Sequence, residues 1–364
     1  MRSNPYIKHQ LINKKSSRND KFLLVFIFFT LIIVCLANNY ALSNQLNILI
    51  NKFKDLSLKG GIFDLVDYVI PFLALPIVPI VSITLYELFI SNYQITESFK
   101  STSIGRVLYS EGRQMPDLWY FFIPKFESKF QFIFTLITLG TARLDNNLSN
   151  WFHNIYKSFL SFGDNHLVAS FIVILSLLLI DLGSYWQHRL SHKHLILWDL
   201  HEFHHSATEM TILNKDRQTL LNPIGTIFLP FTVFLGLLIN EYISLGFYFP
   251  LILFLLDNFI GQVFAYLGHS CLIIVYPKPI SYFLMSPAYH LIHHSNNPKH
   301  YNCNFGEKYV FWDKIFNSFR NEENIKDITG YGVYQTQYNK FHPLYSYFIL
   351  PITKIFRRAL RTLG

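Results

Sequence analysis

HLVASFIVILSLLLIDLGSYWQHRLSHKHLILWDLHEFHHS, residues 166–206, joins two signals that together decide the fold. Its first half, 166–186, is an apolar run of the length a helix needs to cross a bilayer, about 20 residues. Its second half is crowded with histidine: His188 and His192 in HRLSH, then His201, His204 and His205 in HEFHH. On a helix, positions i, i+3 and i+4 lie on one face, so each cluster can aim its imidazoles at a common point. The expectation is a membrane helix that runs directly into a set of converging imidazoles.

The rest of the chain keeps the same character. Hydrophobic residues make up 51% of it and charged residues 15%, whereas a soluble domain carries about a quarter charged residues. That balance, with the apolar runs, excludes a soluble enzyme. Further runs lie at 22–38, at roughly 63–93 with Pro71, Pro76 and Pro79, and more weakly near 117–141. Residues 224–239 and 247–268 read as a helical hairpin joined by the turn 240–246. No small-residue cleavage site follows 22–38, so that run reads as a retained helix rather than a signal peptide. Cys35, Cys271 and Cys303 are too scattered for a disulfide framework. The predicted fold class is all-α: a polytopic membrane bundle of about four to six spanning helices with a cytoplasmic, histidine-rich metal-binding cap.

The net charge of +8 comes from basic residues at the chain ends and between apolar runs. This pattern fits the positive-inside rule and anionic headgroups, not a nucleic-acid partner. Alternating spans place the N-terminus, 94–116, 187–222 and the region after 269 on one side. That side carries more Lys and Arg, which makes it cytoplasmic, at the endoplasmic reticulum of a eukaryote or the inner or plasma membrane of a bacterium. Four regions follow: a basic N-terminus 1–21, a transmembrane region 22–160 without a motif, a catalytic domain 161–320 and a tail 321–364. The tail ends with Lys354, Arg357, Arg358 and Arg361 at i, i+3, i+4 and i+7, the pattern of an interfacial amphipathic helix.

Four more histidines complete the pattern. His269 ends the sixth run, and His290, His293 and His294 repeat the HxxHH spacing. With 15 histidines in 364 residues, one such box arises by chance in roughly a few per cent of chains. Two boxes plus HxxxH, all on one predicted side, call for a chemical reason. Nine nitrogens exceed one tetrahedral zinc site and fit two ions with four or five ligands each. Imidazole alone leaves Zn, Cu, Fe and Ni open. Attack on an unactivated lipid C–H bond needs a redox metal, and iron with O2 suits it. Zinc would point to a membrane hydrolase. A histidine-rich metal transporter and an inactive lipid-binding relative complete the alternatives.

The run DLGSYWQHRLSHKHLILWDLHEFHHS (181–206), GHS (268–270), SPAYHLIHHSNNP (286–298) and NCNFGEKYVFWDKIFNSF (302–319) resemble the fatty acid hydroxylase/sterol desaturase superfamily. The resemblance spans roughly 167–320. It implies that His188, His192, His201, His204, His205, His269, His290, His293 and His294 hold two Fe ions, with O2 as co-substrate and a bilayer lipid as the molecule hydroxylated or desaturated. Asn317-Ser318 stands where the family pattern has Gly-Thr, and Ser270 after His269 departs from the more frequent Asn-type surroundings. His194 and His300 are extra and read as lying outside the ligand set. Without an HPGG-type haem segment, a Cys cluster or GxGxxG, a separate donor is implied, cytochrome b5-like or ferredoxin-like with its reductase. Asp181, seven residues before His188, reads either as a partner that fixes an imidazole tautomer or as a cap of the helix bundle. Arg217 reads as a headgroup holder or as part of the positive-inside bias, and Asp313 as structural.

Overall fold

The computed structural model describes residues 77–90, 99–100, 102–109, 116–121, 166–219, 235, 238, 248–270 and 272–363. The apolar run at 22–38, most of those at 63–93 and 117–141, and nearly all of 224–239 lie outside the described residues. The expected number of spans and the side on which the site faces rest on those runs. Two units divide the chain, residues 1–106 and 107–364. In the first, helix α1 (Ile77–Ile90) carries the buried Glu87, whose carboxylate accepts from the amide and hydroxyl of Ser103 at 2.7 and 2.6 Å. Ser103 opens helix α2 (Ser103–Tyr109).

The described residues are helical and contain no strand, only the isolated bridges Leu284–Tyr309 and Ser295–Tyr331. Helix α3 (His166–Lys193) carries the apolar run and the first histidine pair without a break. Its stretch Leu167–Lys193 is, among the described residues, the one helix long and apolar enough to cross a membrane. Leu167, Phe171, Leu175 and Leu179, one turn apart, are exposed on its outer face. A continuous apolar stripe of this kind suits hydrocarbon better than water. On the inner face Ala169, Val173 and Leu177 pack with Leu235, Leu238, Leu251 and Phe254.

The backbone at His194 is extended (φ −97°, ψ 125°), which ends α3 and starts α4 (Leu195–His205) in a new direction. The two clusters quoted at the outset therefore sit on two helices packed against each other. Helix α5 (Tyr248–His269) follows the sixth apolar run and packs on α3, on the 3-10 turn Ile212–Asp216 and on the short helix that carries the third cluster. After the four-residue helix α6 (Lys278–Ser281) comes that short helix, α7 (Pro287–His293), with Pro287 at its first position, where the missing N–H costs nothing.

The segment 302–320 is held by one carboxylate. Asp313, fully buried in helix α8 (Phe311–Ile315), accepts from the amides of Phe305 and Gly306 at 2.8 Å each and from the Ser318 hydroxyl at 2.7 Å. Ser318 Oγ in turn lies 2.8 Å from the Tyr185 hydroxyl on α3. A Cβ on Gly306 would come within 2.5 Å of the Tyr309 carbonyl and 2.9 Å of the Asp313 carboxylate, so this close approach requires glycine. Asn317, where the family pattern has Gly, sits at φ 57°, in the left-handed region that Asn tolerates better than most residues.

Helix α9 (Leu350–Leu363) lies on α4. Arg358 donates twice to Asp199, at 2.5 and 2.8 Å, and Lys354 donates to Glu202. The basic residues thus grip the carboxylates of the HEFHH helix, while Ile352, Phe356 and Leu360 are exposed.

Asp313→Ala should lower stability by about 2–4 kcal/mol, because two buried amides lose their acceptor. Asp313→Asn, which keeps one acceptor oxygen, should lose less. Thermal unfolding in detergent measures both; equal stability for all three proteins would contradict the role given to this carboxylate.

Candidate metal centre

Each histidine cluster inherits its aim from its helix. His188 and His192 project from the end of α3, and His201, His204 and His205 from α4. His269 projects from the last residue of α5, and His290, His293 and His294 from α7 and its cap. The structure brings all nine together in two abutting groups. His188, His192, His201, His205 and His293 form one, and His204, His269, His290 and His294 the other. Within each group one ring nitrogen from every residue lies within 4.8 Å of all the others. The groups touch through His205 and His294, whose rings stack at 4.4 Å between centroids. All of these side chains are buried except the half-buried His192.

Ring orientation comes from hydrogen bonds on the far side of each imidazole. His188 Nδ1 lies 2.8 Å from the Phe305 carbonyl, His293 Nδ1 2.7 Å from the Cys303 carbonyl, and His269 Nδ1 2.8 Å from the Ala265 carbonyl. A carbonyl can only accept, so these Nδ1 atoms carry the proton and Nε2 presents its lone pair to the cage. His204 Nδ1 is 3.3 Å from the Gln218 side-chain amide. Two of the carbonyls belong to the loop whose amides Asp313 holds, so the WDKIF tail sets the rings on α3 and α7.

Electrostatics keep the cage neutral. Burial, reinforced by neighbouring imidazoles, holds His201, His204, His205, His290, His293 and His294 well below the ordinary histidine value. Neutral imidazole is the form that binds metal. The residues fit such a group on three grounds. Nε2 of His188, His192 and His293 is buried with no hydrogen-bond partner, an arrangement that costs about 1–3 kcal/mol per atom unless something satisfies it. Nε2 atoms of His204 and His269, His269 and His290, and His290 and His294 are 3.1 Å apart. Two nitrogens bound about 2.1 Å from one ion and roughly at right angles would be about 3.0 Å apart. The donor set, all imidazole, suits a first-row transition metal and not Mg or Ca.

A cavity of about 310 Å³ opens beside the cage, and His188, His201, His204, His269 and His290 form part of its wall. It therefore reaches both groups.

The imidazole-partner reading of Asp181 and the headgroup reading of Arg217 are corrected. Asp181 contacts no imidazole: its carboxylate accepts from the Trp312 indole at 2.9 Å and lies 3.9 Å from Lys308 Nζ, tying α3 to the tail. Backbone carbonyls orient the rings instead, and no residue-type signal could have named them. Arg217 holds no headgroup, because it is buried. It pairs with the buried Asp117 and donates to Ser206 Oγ at 2.9 Å and Asn339 Oδ1 at 3.0 Å. It thus braces the residue that caps α4, directly after His205. His194 is exposed in the α3–α4 turn, and His300 is buried but belongs to neither group.

Residues 173–318 match the fatty acid hydroxylase family model. Among curated proteins, an ornithine lipid hydroxylase of Rhizobium tropici is 32% identical over 154 residues, covering 42% of this chain and 43% of that protein. The alkylglycerol monooxygenase of Caenorhabditis elegans is 29% identical over 168 residues, 46% of this chain and 30% of that protein. The human alkylglycerol monooxygenase is 27% identical over 182 residues, 46% of this chain and 35% of that protein. In each case the match spans less than half of the relative's length. No solved structure matches. All nine gathered histidines lie inside the segment, residues 173–318, that matches the fatty acid hydroxylase family model.

Proposed function

We propose that this protein is a multi-pass membrane enzyme that holds two iron ions and inserts one oxygen atom of O2 into a C–H bond of a lipid. The observation that carries the reading is the convergence of nine neutral imidazoles, eight of them buried, in a group of five and a group of four, within the segment that matches the fatty acid hydroxylase family model. His188, His192, His201, His205 and His293 would hold one ion, and His204, His269, His290 and His294 the other. Iron in such a site supplies the oxidising power for C–H attack that protein side chains lack.

The remaining work falls to the protein. The carbonyls of Ala265, Cys303 and Phe305 keep His269, His293 and His188 in the tautomer that offers Nε2. Burial excludes bulk water from the cage and keeps its rings unprotonated. The apolar faces of α3 and α5 guide a lipid from the bilayer toward the cavity. Hydroxylation consumes the C–H bond, O2, two electrons and two protons, and yields an alcohol and water. The electrons come from a separate cytochrome- or ferredoxin-like donor. The names of the relatives support a lipid as substrate and hydroxylation as the reaction.

Two measurements test the reading. Protein loaded with iron under anaerobic conditions should contain about two irons per chain. His293→Ala or His204→Ala should each remove about half, and the double variant nearly all. Zinc alone after that treatment, or a metal content insensitive to both substitutions, would favour a hydrolase or binding protein. Second, a lipid panel incubated with 18O2 and a reducing system should give a product carrying one 18O atom; label from water instead would contradict oxygenation.

A further inference from the structure

Besides five histidines, the cavity is lined by Gln218, Gly261, Phe264 and Ala265 and by four charged side chains. Lys215 comes from the turn after α4, Asp257 from α5, and Glu307 and Lys308 from the loop that Asp313 holds. Three of these charges are matched within the protein. Lys215 lies 3.2 Å from Asp216 and stands over the Tyr266 ring at 4.4 Å. Lys308 donates to Asp257 at 2.6 Å, and the Tyr309 hydroxyl donates to the other oxygen of Asp257 at 3.0 Å. Gly261 leaves room for the Lys308 stem, whose Cδ would lie 3.2 Å from a Cβ placed there. Glu307 differs from the others. It is half-buried, lines the cavity and makes no hydrogen bond among the described residues. Burial pushes its carboxyl up, opposed only by the charge of Lys308.

The charged part of this lining is a poor surface for an acyl chain, since hydrocarbon would displace water from those groups and return no hydrogen bonds. The cavity is also at the small end of the range for ligand pockets, about 300–1,000 Å³, so it takes one end of a lipid and not the whole molecule.

We infer that this cavity receives the polar end of the substrate, and that Glu307 selects lipids whose polar end carries a hydrogen-bond donor, a hydroxyl or an ammonium. The inference rests on reading the cavity beside the histidine cage as the lipid site. It places the attacked carbon close to the headgroup, because five of the histidines line the same small space. An ester or a bare hydrocarbon end offers Glu307 no donor and binds more weakly. Glu307 is a specificity-determining residue and takes no part in holding metal.

The test is competitive binding to the full-length protein in detergent, read by native mass spectrometry, with three probes of equal chain length: hexadecylamine, 1-O-hexadecylglycerol and methyl palmitate. The parent protein should bind the amine and the diol about 10- to 100-fold more tightly than the ester. Glu307→Gln should lose the preference for the amine and keep part of that for the diol. Glu307→Leu should lose both preferences while its binding of methyl palmitate, the control for an intact cavity, is unchanged. Equal binding of the three probes by the parent, or an amine preference intact in Glu307→Gln, would overturn the inference. So would loss of all three probes in Glu307→Gln, which would assign the residue to folding. No turnover is needed, so a protein that oxidises no lipid would defeat the proposed activity and leave this result standing.

Discussion

Nine imidazoles packed out of water form a costly arrangement, and the rest of the domain is organised around making it possible. Each ring has two nitrogens, and a buried one without a partner is unfavourable. For His188, His269 and His293 the protein satisfies the outer nitrogen with a backbone carbonyl and leaves the inner one facing its neighbours. The carbonyls of residues 303 and 305 are useful only if their loop is rigid, and Asp313 makes it so by binding the adjacent amides. A single carboxylate, three residues into a short helix, therefore controls the direction of rings on two other helices.

The same logic joins the apolar and polar halves of the domain. Asp181 on α3 and Asp257 on α5 lie on otherwise apolar helices, where an unmatched charge would be expensive. Trp312 and Lys308 from the segment 302–320 meet them. That segment thus acts as a clasp across the helix ends from which His188 and His269 project. On the other side of the cage, Arg217 and Asn339 hold Ser206, and α9 grips Asp199 and Glu202. Helix α4, which supplies three of the nine rings, is braced at its cap and along its outer face.

The helices and the gathering of the nine histidines were legible because they depend on local spacing. A 3.6-residue period puts i, i+3 and i+4 on one face whatever surrounds them, so HEFHH and HLIHH declare their convergence in sequence. The partners of those rings were not legible. A carbonyl has no residue identity, and the contacts from 303 to 293 or from 305 to 188 depend on tertiary packing. Asp181 read either as an imidazole partner or as a cap of the helix bundle; seven residues is two turns, but the indole of Trp312 is its partner in space. Arg217 read as a surface cation because the sequence does not reveal that Asp117, 100 residues earlier, is its partner. Glu307 and Lys308 did carry a signal, two charges beside the NF-G turn in an apolar setting, but their place on the cavity wall needed the fold.

The central claim is that these imidazoles hold two irons in neighbouring sites of five and four nitrogens. Iron K-edge X-ray absorption on the anaerobically loaded, full-length protein tests it most directly, because imidazole rings scatter with a characteristic outer-shell pattern. The account predicts an all-nitrogen and oxygen first shell with an average of between four and five imidazoles per iron. A shell with sulfur, or one dominated by carboxylate or water with few imidazoles, would contradict it.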